Sequence, residues 1–103
     1  MLRRNSNTIR SQTITHFALG QTFITPGAEE ALQIAGQTAI EFLRRYISCD
    51  WGVLSEDDVL ENELSRKEGF RLLSAYRTTN GFKLWIITEA DRSATTVLLP
   101  SEY

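Results

Sequence analysis

The sequence predicts an α+β domain in which an N-terminal strand and two to three short helices lead into a three-stranded antiparallel β-meander. Three observations predict it. Between Pro26 and Gly69 the apolar residues recur at helical spacing, the pattern of helices that bury one face. After Gly69 they alternate with polar residues, as in strands with one face covered. Asn80-Gly81 lies between two alternating runs, and this dipeptide favours tight hairpins because it accepts positive φ. Helices grouped ahead of the strands, rather than interleaved with them, favour α+β over a parallel α/β sheet.

Each element has a local cause. Residues 1–15, rich in Asn, Ser, Thr, Gln and Arg, read as a flexible polar leader ahead of a single domain over residues 16–103. Phe17 to Thr25 reads as an extended segment broken at Gly20. Thr25 is placed to cap a helix whose first residue, Pro26, needs no N–H. Glu29 and Glu30 favour the positive end of its dipole, Ala28, Leu32 and Ala35 share a face, and Gly36 ends it. Thr38 and Glu41 match a capping box for a second helix, with Ile40, Leu43 and Ile47 inward and Arg44 and Arg45 outward, ending near Ser48. Ser55 to Asp58 approximates another box, opening a third helix with a Val59, Leu60 and Leu64 stripe that stops at Gly69. Phe70 to Thr79, Phe82 to Glu89 and Ala94 to Leu99 are the strands, and Pro100 halts the last. A two-residue turn at Asn80-Gly81 sets Tyr76 opposite Trp85, Ala75 opposite Ile86 and Arg77 opposite Leu84.

With 103 residues, 42% hydrophobic and 23% charged, the chain has an average globular composition. A domain of that size buries roughly 60–70% of its unfolded surface, so monomer and homodimer are both open. The net charge of -2 conceals an uneven spread. Arg3, Arg4 and Arg10 sit in the leader, while Asp50 to Glu68 carries seven carboxylates against Arg66 and Lys67. An acidic surface without a basic stripe disfavours nucleic acid and suits a basic protein partner or metal ions. The single Cys49 excludes an intrachain disulfide and a multi-thiolate zinc site. No apolar run approaches the ~18 residues of a membrane span, and the Arg-bearing start lacks the apolar core of a secretory signal. A cytoplasmic location is therefore expected.

Three polar spots are candidates for chemistry or binding. Asp50-Trp51-Gly52 joins the second and third helices. A Trp beside an Asp in a tight loop makes a ligand platform, while the plainer reading has Trp51 plugging the core and Asp50 capping a turn. The turn Ile87 to Ser93 gathers Glu89, Asp91, Arg92 and Ser93 at a sheet end, where functional loops sit on rigid strands. Its carboxylates suit a metal or acid–base work, or Asp91 and Ser93 bond their own backbone and Arg92 pairs with a nearby carboxylate. The acidic third helix, with Glu56, Asp57 and Glu61, is either a solvated face or a partner surface. His16 is the only histidine and lies far in sequence from Cys49, which disfavours Cys–His and Ser–His–Asp sites. No phosphate loop, metal-spaced His/Cys set or nucleophile elbow occurs; no cofactor or metal is expected and no catalytic residue is assigned. Single-strand binding across Tyr76, Trp85 and Lys83 requires their sheet face to be exposed.

The segments FALGQ and TPGAEEAL, Asp50-Trp51-Gly52, and the run from Lys67 to Tyr103 (KEGFRLLSAYRTTNGFKLWIITEADRSATTVLLPSEY) resemble a family of short plasmid-related bacterial proteins of about one domain's length. Some of these are labelled type I restriction endonuclease subunit M. A methylase needs a cofactor-binding α/β domain and an NPPY-type loop, for which this chain has no room, so the label reflects gene neighbourhood. Family members resembling this chain carry His-x-x-Gly-Asp-Trp-Gly and then an acid. Here Tyr46, Cys49 and Val53 occupy the His, first Gly and acidic positions, changes a binding protein tolerates better than an enzyme. Small size, the acidic helical face and this resemblance together point to a small interaction protein of mobile-element origin, a defence-system inhibitor or accessory factor, with Trp51, Glu56, Asp57, Glu61 and Arg92 as its expected contacts. The rival expectation is a hydrolase or ligand-binding enzyme centred on Asp50, Glu89, Asp91 and Arg92.

Overall fold

The computed structural model describes residues 17–103, and the expected leader over residues 1–15 lies outside them. The fold is α+β: strand β1 (Gln21–Ile24), helices α1 (Pro26–Ala35), α2 (Ala39–Ile47) and α3 (Glu56–Glu68), strands β2 (Leu72–Arg77), β3 (Lys83–Thr88) and β4 (Ala94–Leu98), and a closing 3-10 turn (Pro100–Glu102). The meander β2–β3–β4 is antiparallel as the sequence predicts. β1 extends it by pairing parallel to β4, so the sheet is mixed, with order β1-β4-β3-β2.

The helix ends follow from capping chemistry. The Thr25 hydroxyl accepts the Ala28 N–H, Pro26 occupies the first turn, and Gly36 closes α1 at φ 69°. Ser55 accepts the Asp58 N–H and Gly69 closes α3 at φ 79°. The capping box expected for α2 does not form. Thr38 makes no side-chain cap, because Glu41 instead accepts the Gln37 side-chain amide at 2.8 Å.

Two helices also turn a different face inward from the one their aliphatic residues suggested. α2 buries Ala39, Phe42 and Tyr46 and leaves Ile40 60% exposed. The aromatic pair buries more area than the branched aliphatics would, and Phe42 packs on Tyr76. α3 buries Asn62 and Ser65, while Leu60 and Leu64 stand 68% and 54% exposed. The reason lies at the sheet edge. Leu73 turns its backbone polar groups away from β3, and the Asn62 amide donates to its carbonyl (2.8 Å) while accepting its N–H (3.2 Å). An exposed strand edge invites unwanted pairing, so a polar side chain faces the sheet and the leucines turn out.

The hairpin register also differs from expectation. Ala75 pairs with Trp85, Tyr76 with Leu84 and Arg77 with Lys83. The connection is longer than a two-residue turn because Thr78 organises it: its N–H donates to the Phe82 carbonyl, and its hydroxyl binds both the Asn80 side chain and the Phe82 N–H. A one-residue slip reverses every side chain. Tyr76 therefore joins Leu72, Leu84, Ile86 and Val97 in the core with Ala28, Leu32 and Phe42, whereas Trp85 lies on the opposite face against Tyr103. The expected Tyr76–Trp85 binding face does not exist.

A chain of buried hydroxyls crosses this core. The Thr95 hydroxyl donates to the Leu19 carbonyl at 2.6 Å, which leaves it only acceptor capacity toward Thr88 at 2.8 Å. Thr88 must then donate to Thr95 and accept from the Tyr46 phenol at 2.7 Å. Each hydroxyl has one proton, so the direction is fixed from Tyr46 to Leu19. Tyr46→Phe removes only the first donor and should cost about 1 kcal/mol. Thr88→Val strands the Tyr46 O–H in the core and should cost more, about 2–3 kcal/mol in urea unfolding. By the same measurement Asn62→Ala should cost about 1–3 kcal/mol, against less than about 0.5 for Leu60→Ala.

Candidate functional site

The Asp50–Gly52 segment is built from the end of α2. The Cys49 N–H donates to the Tyr46 carbonyl and the Asp50 N–H to that of Arg45, the two bonds of a Schellman termination. Cys49 consequently takes φ 64°, a left-handed conformation that glycine adopts freely. Beyond it, Gly52 is required. At φ 75° a Cβ there would lie 2.0 Å from the Ala75 carbonyl oxygen, because Gly52 bridges to Ala75 and the Val53 N–H donates to the same carbonyl.

Within this segment the candidate side chains are engaged in holding the fold. Trp51 is 3% exposed, packs edge-on against Tyr46 and stacks on Phe17, and donates its indole N–H to Glu63 at 2.9 Å. The other Glu63 oxygen accepts from Arg66 at 2.7 and 3.1 Å. Asp50 accepts from Arg45 at 2.7 Å and from the Gly52 N–H at 3.2 Å. Its backbone carbonyl receives the Tyr76 phenol at 2.7 Å, and that of Trp51 receives the Ser74 hydroxyl at 3.2 Å. The Arg45 guanidinium lies 4.9 Å from the centre of the Tyr76 ring, a cation–π contact. The loop plugs the core and ties α2 to β2.

The Glu89–Ser93 turn has the same character. Its hydrogen-bonded frame is Glu89 N–H to the Ala94 carbonyl and Arg92 N–H to the Glu89 carbonyl. Asp91 accepts the Ser93 N–H at 3.0 Å, an Asx turn. Arg92, at φ 62°, donates from one terminal nitrogen to the carbonyls of Phe70, Glu89 and Ala90 and from the other to Ser65. Its cation thus closes the C-terminal end of α3, where helix carbonyls lack partners. The turn also admits the N-terminal strand: the Gln21 N–H donates to the Ser93 carbonyl.

The third spot stands apart. Glu56, Asp57 and Glu61 are exposed on α3 with no ion pair among the described residues. A shallow cleft of roughly 400 Å³ lined by Leu54, Glu56, Val59 and Leu60 runs along the helix, and another of roughly 330 Å³ includes Asp58, Glu61, Asn62 and Arg71. No group of three or more His, Cys, Asp or Glu side chains suited to a metal ion occurs among the described residues, and none of the described helices is long and apolar enough to cross a membrane.

Sequence reasoning missed three residues that organise these parts. Asn62 is the polar residue at the centre of α3's inner face, and its interruption of the apolar spacing was a readable signal. Glu63 gave no signal, since its partner Trp51 lies on another element. Glu102 caps α1 from the far end of the chain: it accepts the Thr25 hydroxyl at 2.5 Å, the Gly27 N–H at 3.1 Å and the Leu99 N–H at 2.8 Å.

No family model, curated protein or solved structure matches the chain.

Hydrogen bonding holds four carboxyls below the usual carboxylate range: Asp50 chiefly through Arg45, Glu63 through Arg66, Asp91 through Ser93 and Glu102 through Thr25. A carboxyl with a depressed folded pKa contributes stability above its unfolded value, near 4, and that stability is lost as pH falls through the folded value. Thermal melts from about pH 7 to about pH 2 should therefore decline below about pH 4. In Glu63→Gln the decline should be shallower than in the parent, since one of the four linked groups no longer titrates.

Proposed function

We propose that this chain is a small interaction protein that works by binding another protein through surface complementarity. Its resemblance to plasmid-related proteins makes it of mobile-element origin and its role that of a defence-system inhibitor or accessory factor in the cytoplasm. The observation that carries the reading is the division of labour among polar groups. Those around Asp50 and Arg92 are occupied by the protein's own backbone and side chains, whereas Glu56, Asp57 and Glu61 of α3, with Leu60 and Leu64, face outward and form no ion pair among the described residues. Exposed apolar side chains clustered within a charged rim are characteristic of association surfaces.

The rival enzyme reading requires Asp50, Glu89, Asp91 and Arg92 to meet a ligand. Nothing favours it, because both Asp50 oxygens and both terminal nitrogens of Arg92 already have partners.

Affinity purification of the tagged chain from a plasmid-bearing bacterial host tests the proposal. A single protein should co-purify in stoichiometric amount and survive a salt wash. Recovery of nothing above the untagged background would remove the reading's support.

A further inference from the structure

Resting on that reading, we infer that the outer face of α3 is the docking surface and that its partner is a basic amphipathic segment. Leu60 and Leu64 are one helical turn apart and expose 68% and 54% of their surface; residues at that spacing form a continuous stripe. Half-buried Leu54 and Val59 join Leu60 along the roughly 400 Å³ cleft, which accepts a side chain. Asp57, Glu61 and Glu68 follow one side of the stripe and Glu56 the other, by the 3.6-residue repeat. α3 holds six carboxylates against Arg66 and Lys67, and Arg66 is already paired with Glu63.

Charge decides among occupants. A second copy docking by the same face would place one row of carboxylates against its twin, since a two-fold interface pairs identical patches, and like charges facing each other across an interface oppose association. Anionic membranes and nucleic acids are repelled for the same reason. A helix with Leu at the stripe's spacing and Lys or Arg on its flanks satisfies both features, with apolar anchors in the cleft and cations over the rim. Asn62 taking the inner face turns Leu60 and Leu64 outward, and the outer face is left apolar.

The test uses the full chain and a synthetic helical peptide of Leu and Lys whose leucines fall at helical spacing, with a control in which every Lys is Glu. NMR shift changes on titration should map to Leu54, Leu60 and Leu64, and the Glu peptide should give none. Combined Leu60→Asp and Leu64→Asp should weaken binding at least about tenfold, while Ile34→Asp, at an exposed apolar site on α1, should leave it unchanged. Raising salt from about 0.05 M to about 0.5 M should weaken it further, as screened charge pairs do. No binding, shifts mapping to another face, or equal binding of the Glu peptide would each overturn the inference. If a partner co-purifies from cells yet is retained by the Leu60→Asp/Leu64→Asp variant, the docking surface is wrong and the interaction reading stands.

Discussion

The outer edge of β2 is the constraint on which the rest of the structure depends. A terminal strand has unpaired amides and carbonyls that must be satisfied, and here the chain satisfies them from two directions. Asn62 takes both groups of Leu73, and the Gly52–Val53 backbone takes the Ala75 carbonyl. The first bond pair fixes the rotation of α3. The second fixes where the loop after α2 passes, and so places Trp51 over the core. Buried Trp51 then finds its acceptor in Glu63, on the same helix as Asn62. Edge, helix and loop therefore hold one another, and none of the three is explained by its own sequence alone.

The parts legible in the sequence are those set by local chemistry. Thr25-Pro26, Ser55 and the glycines at 36 and 69 mark helix limits through bonds made within a few residues. Alternation after Gly69 marks the meander. What stayed hidden depends on partners distant in the chain. The inward face of α3 was assigned to Leu60 and Leu64 because transfer energies favour burying them, but the unpaired Leu73 groups made Asn62 the better inward residue. The hairpin register was read from Asn80-Gly81, while the Thr78 hydroxyl, two positions earlier, sets the longer connection. The parallel partner of β1 leaves no local trace, since its ladder joins the two ends of the described chain.

The candidate site divides along the same line. Asp50, Trp51, Asp91 and Arg92 are conspicuous because polar and aromatic residues concentrated in short connections attract notice. For Asp50, Trp51 and Asp91 the plainer reading describes what the side chain does, whereas Arg92 meets backbone carbonyls rather than a carboxylate. A guanidinium with several donors on a rigid plane can gather carbonyls from a helix end and a turn at once, a structural task as exacting as ligand binding. The acidic helix, by contrast, is conspicuous only as a charge run. Its interest comes from the leucines, whose exposure is set by Asn62 turning inward to the distant Leu73.

The pairing of β1 with β4 has a consequence for synthesis on the ribosome. Thr25 on the threshold of α1 meets Glu102 across 77 residues of sequence, and the first strand gains its only neighbour among the described residues from the last. A nascent chain can form its helices and first hairpin while it is still tethered, but its opening strand must wait until the final one has left the exit tunnel. Contacts of such long separation slow folding, so the backbone amides and carbonyls of β1 spend the interval unpaired and available to chaperones.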